Sequence, residues 1–291
     1  MIPPIYQAEE MAQMPVFLKA ISQEAQDILT THSKIPNEVR FVADMRRWVL
    51  IHMAIAIHFE HKCDPQKPRL SPKTLYQSIQ STGIASRNTV HAFLQALTRV
   101  QLTELPPSEK IRHHAPKISR KTERLIGLYF DIHLRALDTL DGCQRSLYLR
   151  QNQSMLSRLQ PTFARGVCLS PQWFDPPEDI RCFSYSASGS SILHELLLAA
   201  GSEPPDRNGR IWIDPIATPG FAQRYQVSTA HVSRMLMKAN DREAIGWSRP
   251  GRRGDCWISE RLRKSYLRWQ AEKLSTLSVA FREASKTSIS M

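Results

Sequence analysis

The sequence predicts a mostly helical protein with small β hairpins, built as two similar halves in one chain. Three observations predict it: an internal repeat, a serine-capped amphipathic helix in each copy of that repeat, and a strongly basic charge balance. With 291 residues the chain is long enough to bury a sizeable core without disulfides or metals, and domain-size priors favour two domains. Hydrophobic residues at 42% and charged residues at 23% exclude a disordered or fibrous chain. Eleven glycines against nineteen prolines point to proline-punctuated helices rather than flexible linkers.

The repeat aligns residues 83–97 with residues 225–239, placing Ser86 against Ser228, 142 positions on. A second landmark, Ile118-Ser119, meets Ile258-Ser259 at a spacing of 140. The apolar stretch Trp48 to Ile57 has a shorter counterpart in Ser191 to Ala200. Such self-similarity decides the architecture before any single element does. It divides the chain near residue 145, into 1–145 and 146–291.

In the first half, Ser71-Pro72 opens a helix that runs to about Ser81, since serine caps orphan amides and proline has no amide to leave unsatisfied. Thr82 to Ala85 turns the chain, with Gly83 free to take positive φ. Ser86 caps the next helix. Val90, Phe93, Leu94 and Leu97 recur at i, i+3, i+4 and i+7 as its buried face, leaving Arg87, Asn88, His91 and Gln95 outside. Between Leu102 and Ile118, Pro106-Pro107 argue against a regular hairpin. From Ser119 to about Leu140 a long helix carries Leu125, Leu128, Tyr129, Ile132, Ala136 and Leu140.

The second half repeats the scheme. Thr218-Pro219 starts a helix, Tyr225 to Val227 turns, and Ser228 caps a helix that buries Val232, Met235, Leu236 and Ala239. Thr229, His231, Ser233, Arg234 and Lys238 point out. Ile245 to Arg249 reads as a strand, Pro250 to Asp255 as a glycine-bounded tip and Cys256 to Ser259 as the returning strand. The last helix, from Ser259 to about Phe281, buries Leu262, Tyr266, Trp269, Leu274, Leu277 and Phe281.

Thirty-nine Lys and Arg against 27 Asp and Glu give a net charge of +12 and a pI near 9.7, so the chain seeks polyanions. A membrane is not the expected polyanion: the longest apolar run, Trp48 to Phe59, is too short to span one and is broken by His52. The N-terminus lacks the basic and apolar regions of a signal peptide, so the expected location is the cytoplasm. Basic residues cluster after each capped helix: Lys110, Arg112, Lys117, Arg120, Lys121 and Arg124, then Arg249, Arg252, Arg253, Arg261, Arg263, Lys264 and Arg268.

At these residues the sequence resembles winged helix-turn-helix regulators, in the element order of MarR-like repressors. The resemblance covers about residues 45–140 and 190–280. It implies two winged helix-turn-helix domains related by a pseudo-two-fold, acting on double-stranded DNA as a bacterial transcriptional regulator, most simply a repressor. The helices beginning at Ser86 and Ser228 would enter major grooves about 34 Å apart, and Arg252 and Arg253 would sit on a wing. The long helices would close a dimer-like interface inside one covalent chain, with a separate homodimer as the alternative. The residues expected on DNA are Arg87, Asn88, Thr89, His91 and Gln95 with Lys110, Arg112 and Lys117 in the first half. In the second half they are Thr229, His231, Ser233, Arg234 and Lys238 with Arg249, Arg252 and Arg253. Arg87 suits guanine and Asn88 adenine, whereas Thr229 and Ala230 stand in their places in the second copy, so the halves should read different bases.

Other readings stay open. A plasmid or phage replication initiator also uses tandem winged helices, and winged helices that no longer touch DNA serve as protein-interaction modules. Catalysis is not expected: there is no Gly-rich phosphate loop, no Gly-x-Ser-x-Gly, no His-Glu-x-x-His and no motif for a cofactor. Five scattered cysteines without a Cys-x-x-Cys predict reduced thiols and no zinc ribbon. His58, His61 and Cys63 could converge on a metal, but read more simply as the polar end of a helix. Phe163 to Phe183 reads as an ordered connection packed by Trp173 and Phe174, with a small-molecule effector pocket as the alternative.

Overall fold

The computed structural model of the chain describes residues 3–104 and 116–286. It is mostly helical with small antiparallel sheets, as the sequence predicts. In chain order come α1 (Ala8–Gln13), α2 (Phe17–Lys34), α3 (Pro36–Val42), α4 (Met45–Cys63), α5 (Pro72–Ile79) and α6 (Arg87–Arg99). Strands β1 (Thr103–Glu104) and β2 (Lys117–Ile118) precede α7 (Arg120–Asp141), α8 (Arg145–Gln151), α9 (Leu156–Cys168), α10 (Pro171–Phe174), α11 (Glu178–Ser184) and α12 (Gly189–Ala200). Then follow β3 (Arg210–Ile213), α13 (Thr218–Arg224), α14 (Thr229–Asn240), β4 (Ile245–Arg249), β5 (Arg253–Ser259) and α15 (Glu260–Lys286). All five cysteines are free thiols.

The chain forms two compact units whose bounds differ from 1–145 and 146–291. One comprises residues 1–7, 46–174 and 272–291; the other comprises 8–45 and 175–271. The reason lies in burial. α2 sets Phe17, Ala20, Ile21, Ala25 and Ile28 into a core shared with α12, so the N-terminal helices complete the later unit.

In the first unit, α4 is buried from Val49 to Ile57, as expected of a helix that is apolar all round. Ser71 caps α5 in a reciprocal box: its Oγ accepts from the Thr74 N–H at 3.1 Å and the Thr74 hydroxyl accepts from the Ser71 N–H at 2.9 Å. A 3-10 turn (Gln80–Thr82) carries the chain into Gly83, whose φ of 63° is the left-handed value anticipated there. Val90, Phe93, Leu94 and Leu97 of α6 are buried, again as anticipated. α7 differs in part. Ile132 and Ala136 are buried as expected, together with Ile126, Phe130, His133, Leu134 and Leu137, while Leu128 is 43% exposed and Leu125, Tyr129 and Leu140 are half-buried. The buried face extends toward the Phe130 side because the helix also packs there, where Phe163 meets Phe130 edge-on at 5.2 Å. His58 Nε2 donates to the Glu123 carboxylate (3.1 Å), and His61 Nδ1 donates to the Lys67 carbonyl (2.7 Å), so both serve the helix end.

In the second unit the sheet has the order β3-β5-β4, with Arg210 opposite Ser259 and Ile245 opposite Ile258. The hairpin anticipated from the sequence is present, and β5 begins three residues earlier than expected. β3 is the strand that the sequence reading omits. Its signal was a period-2 alternation, with Ile211 and Ile213 buried and Trp212 exposed, behind the Asn208-Gly209 turn. The residues 163–183 fold as the end of α9, α10 and α11.

Backbone geometry repeats along with sequence. After α6, Gln101 turns left-handed (φ 59°), the Leu102 N–H donates to the Leu97 carbonyl (2.9 Å), and the Ser119 N–H donates to the Leu102 carbonyl (3.1 Å). After α14, Glu243 turns left-handed (φ 53°), the Ala244 N–H donates to the Ala239 carbonyl (2.9 Å), and the Ser259 N–H donates to the Ala244 carbonyl (2.9 Å). The first three positions match at the spacing of 142 and the serines at 140, because the first hairpin segment is two residues longer. The turns before the helices differ: the left-handed residue is Gly83 in one and Gln226 (φ 51°) in the other.

Candidate nucleic-acid interface

α6 presents all of its predicted outer face, and α14 presents part of it. At the start of α6, Ser86 lies in extended backbone and its Oγ accepts from the Thr89 N–H at 3.2 Å. That cap fixes the first turn, from which Arg87, Asn88 and Thr89 are exposed, with His91 and Gln95 one and two turns on. The Arg87 guanidinium lies over the Tyr76 ring, 5.1 Å from its centroid, a cation–π contact that helps to orient the side chain. Lys117 on β2 and Arg120, Lys121 and Arg124 on α7 are exposed. Lys110 and Arg112 lie outside the described residues.

On α14, Ser228 repeats the cap, accepting from the His231 N–H at 3.1 Å. Thr229, Arg234 and Lys238 are exposed, as are Ala230 and Met237 between them. Two predicted outward residues are half-buried instead. His231 Nε2 donates to the Ala187 carbonyl at 3.0 Å, and the Ser233 hydroxyl accepts from Arg252 Nη1 at 2.6 Å. The cause is tertiary. The turn before α12 comes up against the first turn of α14, and the β4–β5 hairpin bends back until its tip touches the second turn.

That tip is tight. Gly251 and Arg252 both take left-handed backbone (φ 74° and 62°), and Arg249 stands opposite Arg253 in the ladder. Like charges directly opposite each other on neighbouring strands repel. No acidic side chain among the described residues pairs with Arg249, Arg253, Arg234 or Lys238.

The other basic residues of this half behave differently. Arg263 donates to the Glu203 carbonyl (2.7 Å), Lys264 pairs with Glu260 one turn back (2.8 Å), and Arg268 pairs with Glu9 (2.6 Å). Arg261 reaches Asp179 (3.7 Å) and the Arg242 carbonyl. The basic run read from the sequence thus separates into residues on α15 held by acids or carbonyls, Arg252 held by Ser233, and Arg249 and Arg253 on the hairpin without an acid. Sequence reading did not single out Met237, although its place outside the Val232, Met235, Leu236 and Ala239 stripe marks it as outward.

No group of three His, Cys, Asp or Glu side chains among the described residues is arranged to hold a metal. No described helix is long and apolar enough to cross a membrane. Comparison with known families, with curated proteins and with solved structures finds no match for this chain.

Proposed function

We propose that this chain is a sequence-specific double-stranded DNA-binding protein carrying two winged helix-turn-helix readers, one built on α5 and α6, the other on α13 and α14, and that it acts as a transcriptional regulator. The observation that carries this reading is the hairpin tip: Arg252 touches the second turn of α14 at Ser233, so an arginine-bearing hairpin and the outer face of a capped helix form one surface. On that surface Arg249 and Arg253 face one another without an acid. A polyphosphate backbone supplies the missing counter-charge, and its release of condensed counterions drives binding. The repeated caps and helix-end hydrogen bonds support the same reading for α6.

In this mechanism the first two turns of α6 and α14 enter major grooves, where polar and apolar side chains meet base edges. The hairpin arginines and the first turns of α7 hold phosphates and set register without reading sequence. Occlusion of a promoter then gives repression.

The test is selection of duplexes from a random pool by the full chain, followed by anisotropy titration of a selected and a scrambled duplex across salt. The expected result is a defined motif, and affinity that falls with salt by about 0.9 log units per phosphate contact per decade. Arg252→Ala with Arg253→Ala should weaken both duplexes alike and reduce the slope by about two. Affinity indifferent to salt, or no duplex bound, would instead assign the chain to protein interaction. Directly repeated sites beside an AT-rich segment in its genome would assign it to replication initiation.

A further inference from the structure

The two capped helices differ on their outer faces. In α6 the exposed positions opposite Val90, Phe93, Leu94 and Leu97 include Asn88 and Gln95, with Ala92 between them. In α14 the positions opposite Val232, Met235, Leu236 and Ala239 include Ala230 and Met237, with Arg234 between them. The spacing of 142 places Asn88 on Ala230 and Gln95 on Met237. In each helix the two residues are two turns apart on nearly one line, about 10 Å along the axis, which matches about three base-pair steps of 3.4 Å. One helix therefore offers two amides where the other offers two apolar groups.

Each pair has one matching feature in the major groove. Asn and Gln amides pair bidentately with adenine N6 and N7, and the thymine C5-methyl is the apolar group of the base edges there. Met237 is 47% exposed, the largest exposure among the large apolar side chains described. It is flanked by Arg234 and Lys238, while Ser233, on the same face, is held by Arg252. An apolar pair rimmed by unpartnered cations fits a methyl-bearing polyanion rather than an apolar protein surface.

We infer that the two helices read A·T pairs by opposite chemistries: Asn88 and Gln95 take adenine edges in one segment of the target, and Ala230 and Met237 take thymine methyl groups in the other. This rests on the reading that α6 and α14 enter major grooves.

The test uses the full chain and a duplex that it selects from a random pool, prepared in three forms: unmodified, with deoxyuridine for every thymidine, and with 7-deazaadenine for every adenine. Deoxyuridine removes only the methyl group, and 7-deazaadenine removes only the N7 acceptor. Loss of one buried methyl contact corresponds to about a fourfold weaker Kd, so two contacts give a loss on the order of tenfold in the uracil duplex. Ala230→Ser with Met237→Gln should bind the unmodified duplex more weakly by a similar factor and lose its sensitivity to uracil, while keeping its sensitivity to 7-deazaadenine. Asn88→Ala with Gln95→Ala should show the reverse pattern. All four residues are exposed, and thermal unfolding matching the parent chain will establish that the variants fold. Equal binding of the uracil and thymine duplexes overturns the inference, as does a uracil penalty that survives in the Ala230 and Met237 variant. A chain that selects a motif but binds its uracil and thymine duplexes equally overturns this inference alone; a chain that selects no motif, or binds no duplex, overturns the sequence-specific DNA-binding reading beneath it.

Discussion

At the scale of single residues, the chemistry divides between groups that face outward and titratable groups sealed inside. His52 is buried against Trp48, with ring centroids 4.0 Å apart, and its Nδ1 has no hydrogen-bond partner. Burial, with the Lys273 charge as a second cause, pushes its pKa down to about 3. Burial likewise lowers His32 to about 4. An imidazole with a depressed folded pKa is neutral in the folded state and takes a proton on unfolding. Its contribution is therefore complete above the unfolded value near 6.5 and declines as pH falls from there toward 4. Each such histidine adds up to about 1.4 kcal/mol per pH unit to that slope. His52→Leu should accordingly flatten the loss of stability between pH 6.5 and 4, as measured by denaturant unfolding at several pH values; an unchanged slope would contradict the assignment. Outside, Arg87→Ala should cost about 1–3 kcal/mol on a selected duplex and relax preference at one base pair. A footprint with unchanged base preference would place Arg87 on phosphate instead.

At the scale of elements, the capped helices were legible because their determinants are local. A serine before an amphipathic run, three residues from the amide it must satisfy, needs nothing distant to act, and both caps form as read. Ser86→Ala and Ser228→Ala should each cost about 1 kcal/mol in equilibrium unfolding, and replacement by Asp should restore it. The α7 face was legible as amphipathic but only partly in phase: Ile132 and Ala136 go inside as expected, but Leu125 sits one position from Ile126 and Leu128 two positions, about half a turn, from Phe130, and only the packing partner decides which of these go inside. β3 escaped for a related reason: four residues of alternation carry little signal until β5 provides the ladder that fixes them. On the candidate surface, the exposed face of α14 could be read, but the capture of Ser233 by Arg252 and of His231 by Ala187 depends on segments 19 and 44 positions away.

At the scale of the whole molecule, the repeat and the compact units follow different divisions of the chain. The repeat follows sequence spacing, whereas the later unit draws its N-terminal helices from residues 8–45. A fragment of residues 146–291 would leave α12 without α2 and expose the surface that meets Phe17, Ile21 and Ile28, a loss of several kcal/mol at about 2 kcal/mol per buried side chain. Such a fragment should lack a cooperative thermal transition, and addition of residues 8–45 should restore one; cooperative unfolding of 146–291 alone would refute this account of its core. The sequence by itself determined the helical class, the doubled pattern, the capped helices and the basic excess, because propensity, capping and composition act within a few residues or need no geometry at all. Only the tertiary structure decided which basic residues are partnered, which face of α7 is buried and where the N-terminal helices belong. Those outcomes depend on which surfaces meet across long separations in the chain, and side-chain patterns fix such meetings only once the elements have packed.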